Sequence, residues 1–241
     1  MRPALVRALS ASIVIALLGL GAPPQASPAH ASTTPVARSG EHATARESEC
    51  LRRVTASAPV AVVFIGASII EGWEGAGAVA WSRHFAPLGA LNLGNSGDRT
   101  EHVLWRLERA PLGRLRPRHI VLNIGSNNLG HGTSSAQETL DGITAVVVRL
   151  AAQCPDATVH LLEVFPRGER FSNLRGDVCQ VNQALRAWVA EARSPNVVIH
   201  AIGDRFVEPD GSIAARTMPD FLHPSPEAYE LWAELLAPAL R

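Results

Sequence analysis

Ser68 lies in the run Phe64-Ile65-Gly66-Ala67-Ser68-Ile69-Ile70, just past an apolar stretch and two residues after a glycine. A glycine there permits a tight strand-to-helix turn. The helix that follows directs its first backbone N–H groups at the place where an attacked carbonyl oxygen would gain charge. This is a setting in which an alcohol nucleophile is useful, and it is equally a setting for a plain helix N-cap. The Gly-x-Ser-x-Gly elbow of α/β-hydrolases is not matched, because Ile70 stands where its second glycine would be.

Asp220 and His223 are three residues apart in the Pro-rich stretch Pro219-Asp220-Phe221-Leu222-His223-Pro224. A carboxylate at that distance can hold Nδ1 of an imidazole while Nε2 faces a hydroxyl, the arrangement that turns a serine into a nucleophile. Solvated turn residues are the other reading of the pair. Asn127, in Gly125-Ser126-Asn127-Asn128, carries an amide that can donate to an oxyanion, and it also fits ordinary turn chemistry. Trp73, Trp81 and Trp105 could line a sugar or acyl site or serve as packing mass, and Arg99 and Arg167 could meet polar substrate groups or solvent. No HExxH or similar ligand spacing is present, so neither a metal nor another cofactor is expected.

These residues need a scaffold that gathers them. The nearly continuous apolar runs 60–66, 90–95, 119–125, 158–164 and 196–202 predict five buried parallel strands. Helical spacing predicts helices at about 100–110, 135–152, 176–193 and 226–237, the last started by Ser225 as N-cap with Pro226 and Glu227 in its first turn. Alternation of this kind predicts one three-layer α/β/α domain. In such sheets ligands bind beyond the carboxyl ends of the strands, where Ser68, the NLGNSGDRT run, Asn127 and the PDFLHPS run all fall.

Four ordered blocks, FIGASIIEGW, NLGNSGDRTEHVLWRL, IGSNNLG and DFLHPSPEAYELWA, resemble the SGNH (GDSL-like) hydrolases, and within them the bacterial relatives of the platelet-activating-factor acetylhydrolase catalytic subunit. The resemblance runs from about Val60 to the C-terminus. It implies a flavodoxin-like sandwich and a serine esterase with Ser68, His223 and Asp220 as triad. By the same resemblance, the N–H groups of Ser68 and Gly97 and the amide of Asn127 form the oxyanion hole. Short acyl esters, acetyl above all, of carbohydrates or other small molecules are the implied substrates. A lysophospholipase or thioesterase with a longer acyl tunnel, and a carbohydrate-binding protein that lost turnover, are the alternatives. The second is motivated by Ala67, which stands where the first block of the family usually has Asp, so that a group steadying the nucleophile turn is missing.

Arg2 and Arg7 precede an apolar run from Ala8 to Ala22, followed by small residues and Ala29-His30-Ala31, which predicts a cleaved export signal over 1–31 and a secreted product. The run is shorter than the roughly 20 residues of a spanning helix, so no stable membrane insertion is expected. Residues 32–45 are small and polar and are expected to be a flexible leader, with the hydrolase domain over 46–241. The chain has no lysine and balances 22 basic against 22 acidic residues, which leaves no electrostatic footprint for nucleic acid. Three cysteines allow one disulfide in an exported chain, with Cys50–Cys154 the better pairing than Cys154–Cys179, or three unpaired thiols.

Overall fold

The computed structural model describes residues 30–57, 59–192 and 196–241. The predicted signal lies outside the described residues, apart from His30 and Ala31.

The five apolar runs form strands β1 (Val62–Gly66), β2 (Leu91–Gly94), β3 (His119–Asn123), β4 (Thr158–Leu162) and β5 (Val197–His200). All pair in parallel, in the order β2-β1-β3-β4-β5. Side chains alternate between faces along each strand. Val63, Ile65, Leu122 and Leu161 therefore enter one core, while Val62, Phe64, Val121 and Leu162 enter another on the opposite face. The chain begins in the middle of the sheet, steps out to β2 and returns past β1 to β3. The crevice at that reversal, beyond the ends of β1 and β3, is where this topology places ligands.

Among the described residues eight α-helices surround the sheet: α1 (Glu41–Ala56), α2 (Ser68–Glu71), α3 (Ala78–His84), α4 (Thr100–Arg109), α5 (Ser126–Gly130), α6 (Ala136–Gln153), α7 (Asn173–Ala192) and α8 (Pro226–Leu236). Apolar stripes of α1, α4, α6 and α7, among them Val54, Leu107, Val146 and Leu185, close the first core. Helices α2, α3 and α8 close the second, which is rich in aromatic residues: Phe64, Trp73, Phe85, Tyr229 and Trp232. Each such side chain contributes about 2–3 kcal/mol by leaving water. Ser135 and Glu138 cap α6 reciprocally, and Ser225 accepts from the Ala228 N–H at the start of α8, whose first residue is Pro226. The result is the expected three-layer α/β/α sandwich with flavodoxin-like strand order.

One expectation is corrected. The polar stretch expected to be a flexible leader is docked on the domain. Ser32 is buried, its carbonyl accepts from Thr100 Oγ1 at 2.8 Å, Val36 N–H donates to Glu101 O at 3.2 Å, and α1 begins already at Glu41. Backbone hydrogen bonding holds this segment, which apolar periodicity does not report. Of the two readings of the cysteines, three unpaired thiols is the one the structure has. Cys50 Sγ lies 3.9 Å from the carbonyl of Gly94, the last residue of β2, whereas Cys154 closes α6, which leads into the beginning of β4. The two sulfurs are thus near opposite ends of the sheet.

Across β3, β4 and β5 the rings of His119, His160 and His200 stand in a row. His119 Nδ1 is 3.0 Å from His160 Nε2, and His160 Nδ1 is 3.0 Å from His200 Nε2. Burial holds His160 down at about 4, and the two neighbouring imidazoles add to the fall.

Candidate active site

The turn from β1 into α2 carries Ser68 as the first helical residue, with Ala67 as N-cap. Ala67 O accepts from the N–H groups of Ile70 at 3.1 Å and Glu71 at 2.9 Å, so backbone bonds close this turn without a side-chain carboxylate at position 67. A helix cannot satisfy its own first N–H groups, which leaves that of Ser68 available. The turn is tightly framed. A Cβ on Gly66 would lie 2.1 Å from Asn123 O, and one on Gly94 would lie 2.2 Å from Glu71 N.

His223 Nε2 lies 2.8 Å from Ser68 Oγ, and His223 Nδ1 lies 2.6 Å from Asp220 Oδ2. The other oxygen, Asp220 Oδ1, accepts from the N–H groups of Leu222 at 3.1 Å and His223 at 2.7 Å. To make that turn Phe221 takes a left-handed φ of 57°, a strained conformation for a non-glycine residue. Phe221 O holds the Gly168 N–H at 2.8 Å, and its side chain packs on the second core, which together keep the strain in place. Partial burial works against ionisation of Asp220, but the His223 N–H and imidazole outweigh it and hold the carboxyl below its usual range. Such a relay can move a proton from Ser68 Oγ to His223 while Asp220 fixes the ring and stabilises its charge.

On the other side of Ser68 the chain leaves β2 into a turn in which Asp98 N–H donates to Asn95 O at 3.1 Å and Gly97 has φ of 81°. The left-handed Gly97 is the mark of a type II turn. Asn127, at the start of α5, donates from Nδ2 to Asp98 O at 2.9 Å, so the amide is tied to the turn and keeps one N–H for another acceptor. The Asp98 carboxylate is buried and bonds Arg106 Nε at 2.8 Å. Arg106 also donates to Leu93 O at 2.8 Å and Gly66 O at 3.2 Å, so one guanidinium joins the ends of β1 and β2 to the turn. Burial pushes the Asp98 carboxyl up to about 6 against the pull of Arg106.

The structure thus brings Ser68, His223 and Asp220 into one relay and links Gly97's turn to Asn127. It does not bring Trp73 to the site. Trp73 is fully buried against Tyr229 and Trp232, with ring centroids 4.6 and 4.7 Å away, because the apolar residues of α2 and α8 draw it inward. Trp81 packs on the same core, and Trp105 lies under Arg109 on α4. Arg99 is the N-cap residue of α4 and bonds Glu101 Oε1 at 2.5 Å, while Arg167 Nη1 donates to Ser126 O at 3.1 Å behind Asn127. Both support the loops around the site. Asp98 and Arg106, with no role assigned from sequence, could have been noticed as opposite charges within a block whose helix is otherwise patterned for burial.

Two spaces adjoin Ser68. A small recess, with room for about one water-sized group, is lined by Ala67, Ile69, Ile124, Asn127 and Leu222 among others. An open cleft of about 430 Å³ runs past Glu71, Gly72, Glu74, Ser96 and His223.

Residues 64–231 match the model of the GDSL-like lipase/acylhydrolase family. The chain belongs to this family. It is similar to human platelet-activating factor acetylhydrolase IB subunit alpha1, 39% identical over 168 residues that cover 70% of each protein. Among solved structures it resembles a GDSL-like lipase from Bacteroides thetaiotaomicron, with TM-score 0.67 and 21% identity over 83% of this chain and 98% of that one. It also resembles a carbohydrate esterase family 3 from Talaromyces cellulolyticus, with TM-score 0.51 and 17% identity over 75% and 96%. The GDSL-like acylhydrolase described here is therefore an ester-hydrolysing enzyme on an SGNH-type sandwich. Among its described residues no helix is long and apolar enough to cross a membrane.

Proposed function

We propose that this acylhydrolase removes short acyl groups, acetyl first among them, from polar alcohols such as carbohydrates, with Ser68 as nucleophile. The relay from Asp220 through His223 to Ser68 Oγ, at 2.6 and 2.8 Å, is the observation that carries the reading. His223 takes the Ser68 proton as Oγ bonds the ester carbonyl carbon, then gives it to the departing alcohol. Water repeats the sequence on the acyl-enzyme, with His223 as its base, and releases the carboxylic acid and free Ser68. The N–H groups of Ser68 and Gly97 and the Asn127 amide receive the charge on the carbonyl oxygen. The size of the two spaces supports the substrate class. The recess beside Ser68 and Asn127 has room for no more than a methyl-sized group, in keeping with acetyl, and the open cleft leaves space for a larger alcohol.

Hydrolysis of p-nitrophenyl acetate and single-site labelling by a fluorophosphonate test the reading. Both should vanish in Ser68→Ala, and unchanged hydrolysis by that variant would overturn it. The charged start and apolar run further support export with cleavage after Ala31, which leaves the Ser32 contacts with Thr100 in the product. Terminal sequencing of the exported protein should begin at or near Ser32, and an intact Met1 form in the membrane fraction would contradict this.

A further inference from the structure

The oxyanion turn is held from outside by a residue that lies before the family match begins. Arg38, in the segment ahead of α1, donates through Nη1 to Ser96 O, and the same atom is 3.8 Å from Asp98 Oδ1. Its guanidinium lies directly on Gly97, where an added Cβ would meet Nη1 at 2.5 Å and Cζ at 2.9 Å. Ser96 is gripped from the other side by Glu71, whose Oε2 accepts from its N–H and its Oγ, both at 2.6 Å.

The stereochemistry of the turn gives these contacts their meaning. Type I and type II turns differ by a flip of the peptide between the two central residues, here Ser96 and Gly97. In a trans peptide the C=O and the N–H point in opposite directions. A donor that fixes Ser96 O on one side therefore fixes the direction of the Gly97 N–H on the other. The glycine by itself supplies no such preference, because it tolerates either turn. The segment that delivers Arg38 is itself anchored, by Ser32 O on Thr100 Oγ1 at 2.8 Å and by Val36 N–H on Glu101 O at 3.2 Å.

We infer that Arg38 is a positioning residue for catalysis: it locks the Ser96–Gly97 peptide in the orientation that presents the Gly97 N–H to the oxyanion. This rests on the reading of Gly97 as a donor in a Ser68-dependent hydrolysis. Lysine is not an equivalent, since it lacks the planar face that lies on Gly97.

The test is steady-state hydrolysis of p-nitrophenyl acetate by Arg38→Ala and Arg38→Lys, with Ser68→Ala in parallel and thermal melting of each. Arg38→Ala should lose about 10- to 100-fold in kcat with KM within about threefold, because a misdirected donor costs transition-state rather than ground-state binding. Arg38→Lys should recover only part of the loss. Added guanidinium ion at millimolar concentration should rescue Arg38→Ala saturably while leaving the wild-type rate unchanged. If Ser68→Ala is inactive and Arg38→Ala keeps the wild-type kcat, the positioning role fails while the hydrolase reading stands. A lower melting temperature with a lost kcat that guanidinium does not restore would also overturn it, since that is the behaviour of a merely structural arginine. Activity surviving in Ser68→Ala would remove the reading on which the inference stands.

Discussion

The side-chain amide of Asn127 donates to the backbone carbonyl of Asp98 at 2.9 Å, which ties the end of β3 to the turn after β2 across the mouth of the crevice. One amide hydrogen is spent on holding position, and the other is left for chemistry. The adjacent Asn128 is different. It is fully buried, its Oδ1 accepts from Thr100 N–H at 3.1 Å, and its Nδ2 donates to Thr100 Oγ1 at 3.0 Å and Glu101 Oε2 at 3.2 Å.

Two neighbouring asparagines should therefore fail in different assays. Asn127→Ala should lower kcat by roughly 10²- to 10³-fold with a small change in KM, the range for losing one oxyanion donor. Asn128→Ala leaves buried partners unsatisfied and should cost about 1–3 kcal/mol of stability, read by chemical denaturation. A kcat within about threefold of wild type in folded Asn127→Ala, which is under about 1 kcal/mol in barrier, would remove Asn127 from the oxyanion hole.

The histidine row should make the fold sensitive to acid. His160 titrates at about 4 in the folded chain against an ordinary 6.5, so between these values the unfolded chain binds more protons. Its contribution is present above about pH 6.5 and is lost as pH falls toward 4. After allowance for the solvent that reaches the ends of the row, this amounts to about 1–2 kcal/mol. Urea midpoints measured from pH 7 to pH 4 should fall less steeply in His160→Leu than in wild type. Parallel slopes would remove His160 as the source.

Acyl-chain preference should respond to the wall of the recess. Acetyl and propionyl esters should be better substrates than octanoyl esters, and Leu222→Ala, which opens the recess beside Ser68, should move the preference toward longer chains. A pocket that gains or loses one or two methylenes changes discrimination by about 10- to 100-fold. An unchanged chain-length profile in Leu222→Ala would place the acyl group elsewhere.

The strands and the helices at about 100–110, 135–152, 176–193 and 226–237 were legible because each had to bury an apolar stripe, and burial leaves a period in the sequence. The gathering of Ser68, Asn127 and the Asp220–His223 pair was legible because a parallel sheet sends every strand end to one edge. Helix α1 was not anticipated: its described residues are largely polar, with only Ala43, Cys50 and Val54 buried. Arg38 was invisible for a related reason. Its partners are a backbone carbonyl and a glycine surface 58 and 59 residues away, neither of which marks the sequence around it. Trp73 misled in the opposite direction, since an aromatic residue near a serine reads the same whether it faces substrate or Tyr229.

The turn that carries Ser68 is wedged between the backbones of its neighbours: Gly66 abuts Asn123 O, and Gly94 abuts Glu71 N, each with less room than a methyl group requires. Those two positions are closed to every other residue without moving a strand end. Adaptation to a new ester therefore cannot proceed by reshaping the floor on which Ser68 rests. It is left to side chains that border the two spaces without carrying the relay or the sheet, such as Leu222, Glu74 and Pro224. A library aimed at new specificity should hold these three strand ends fixed and vary this rim.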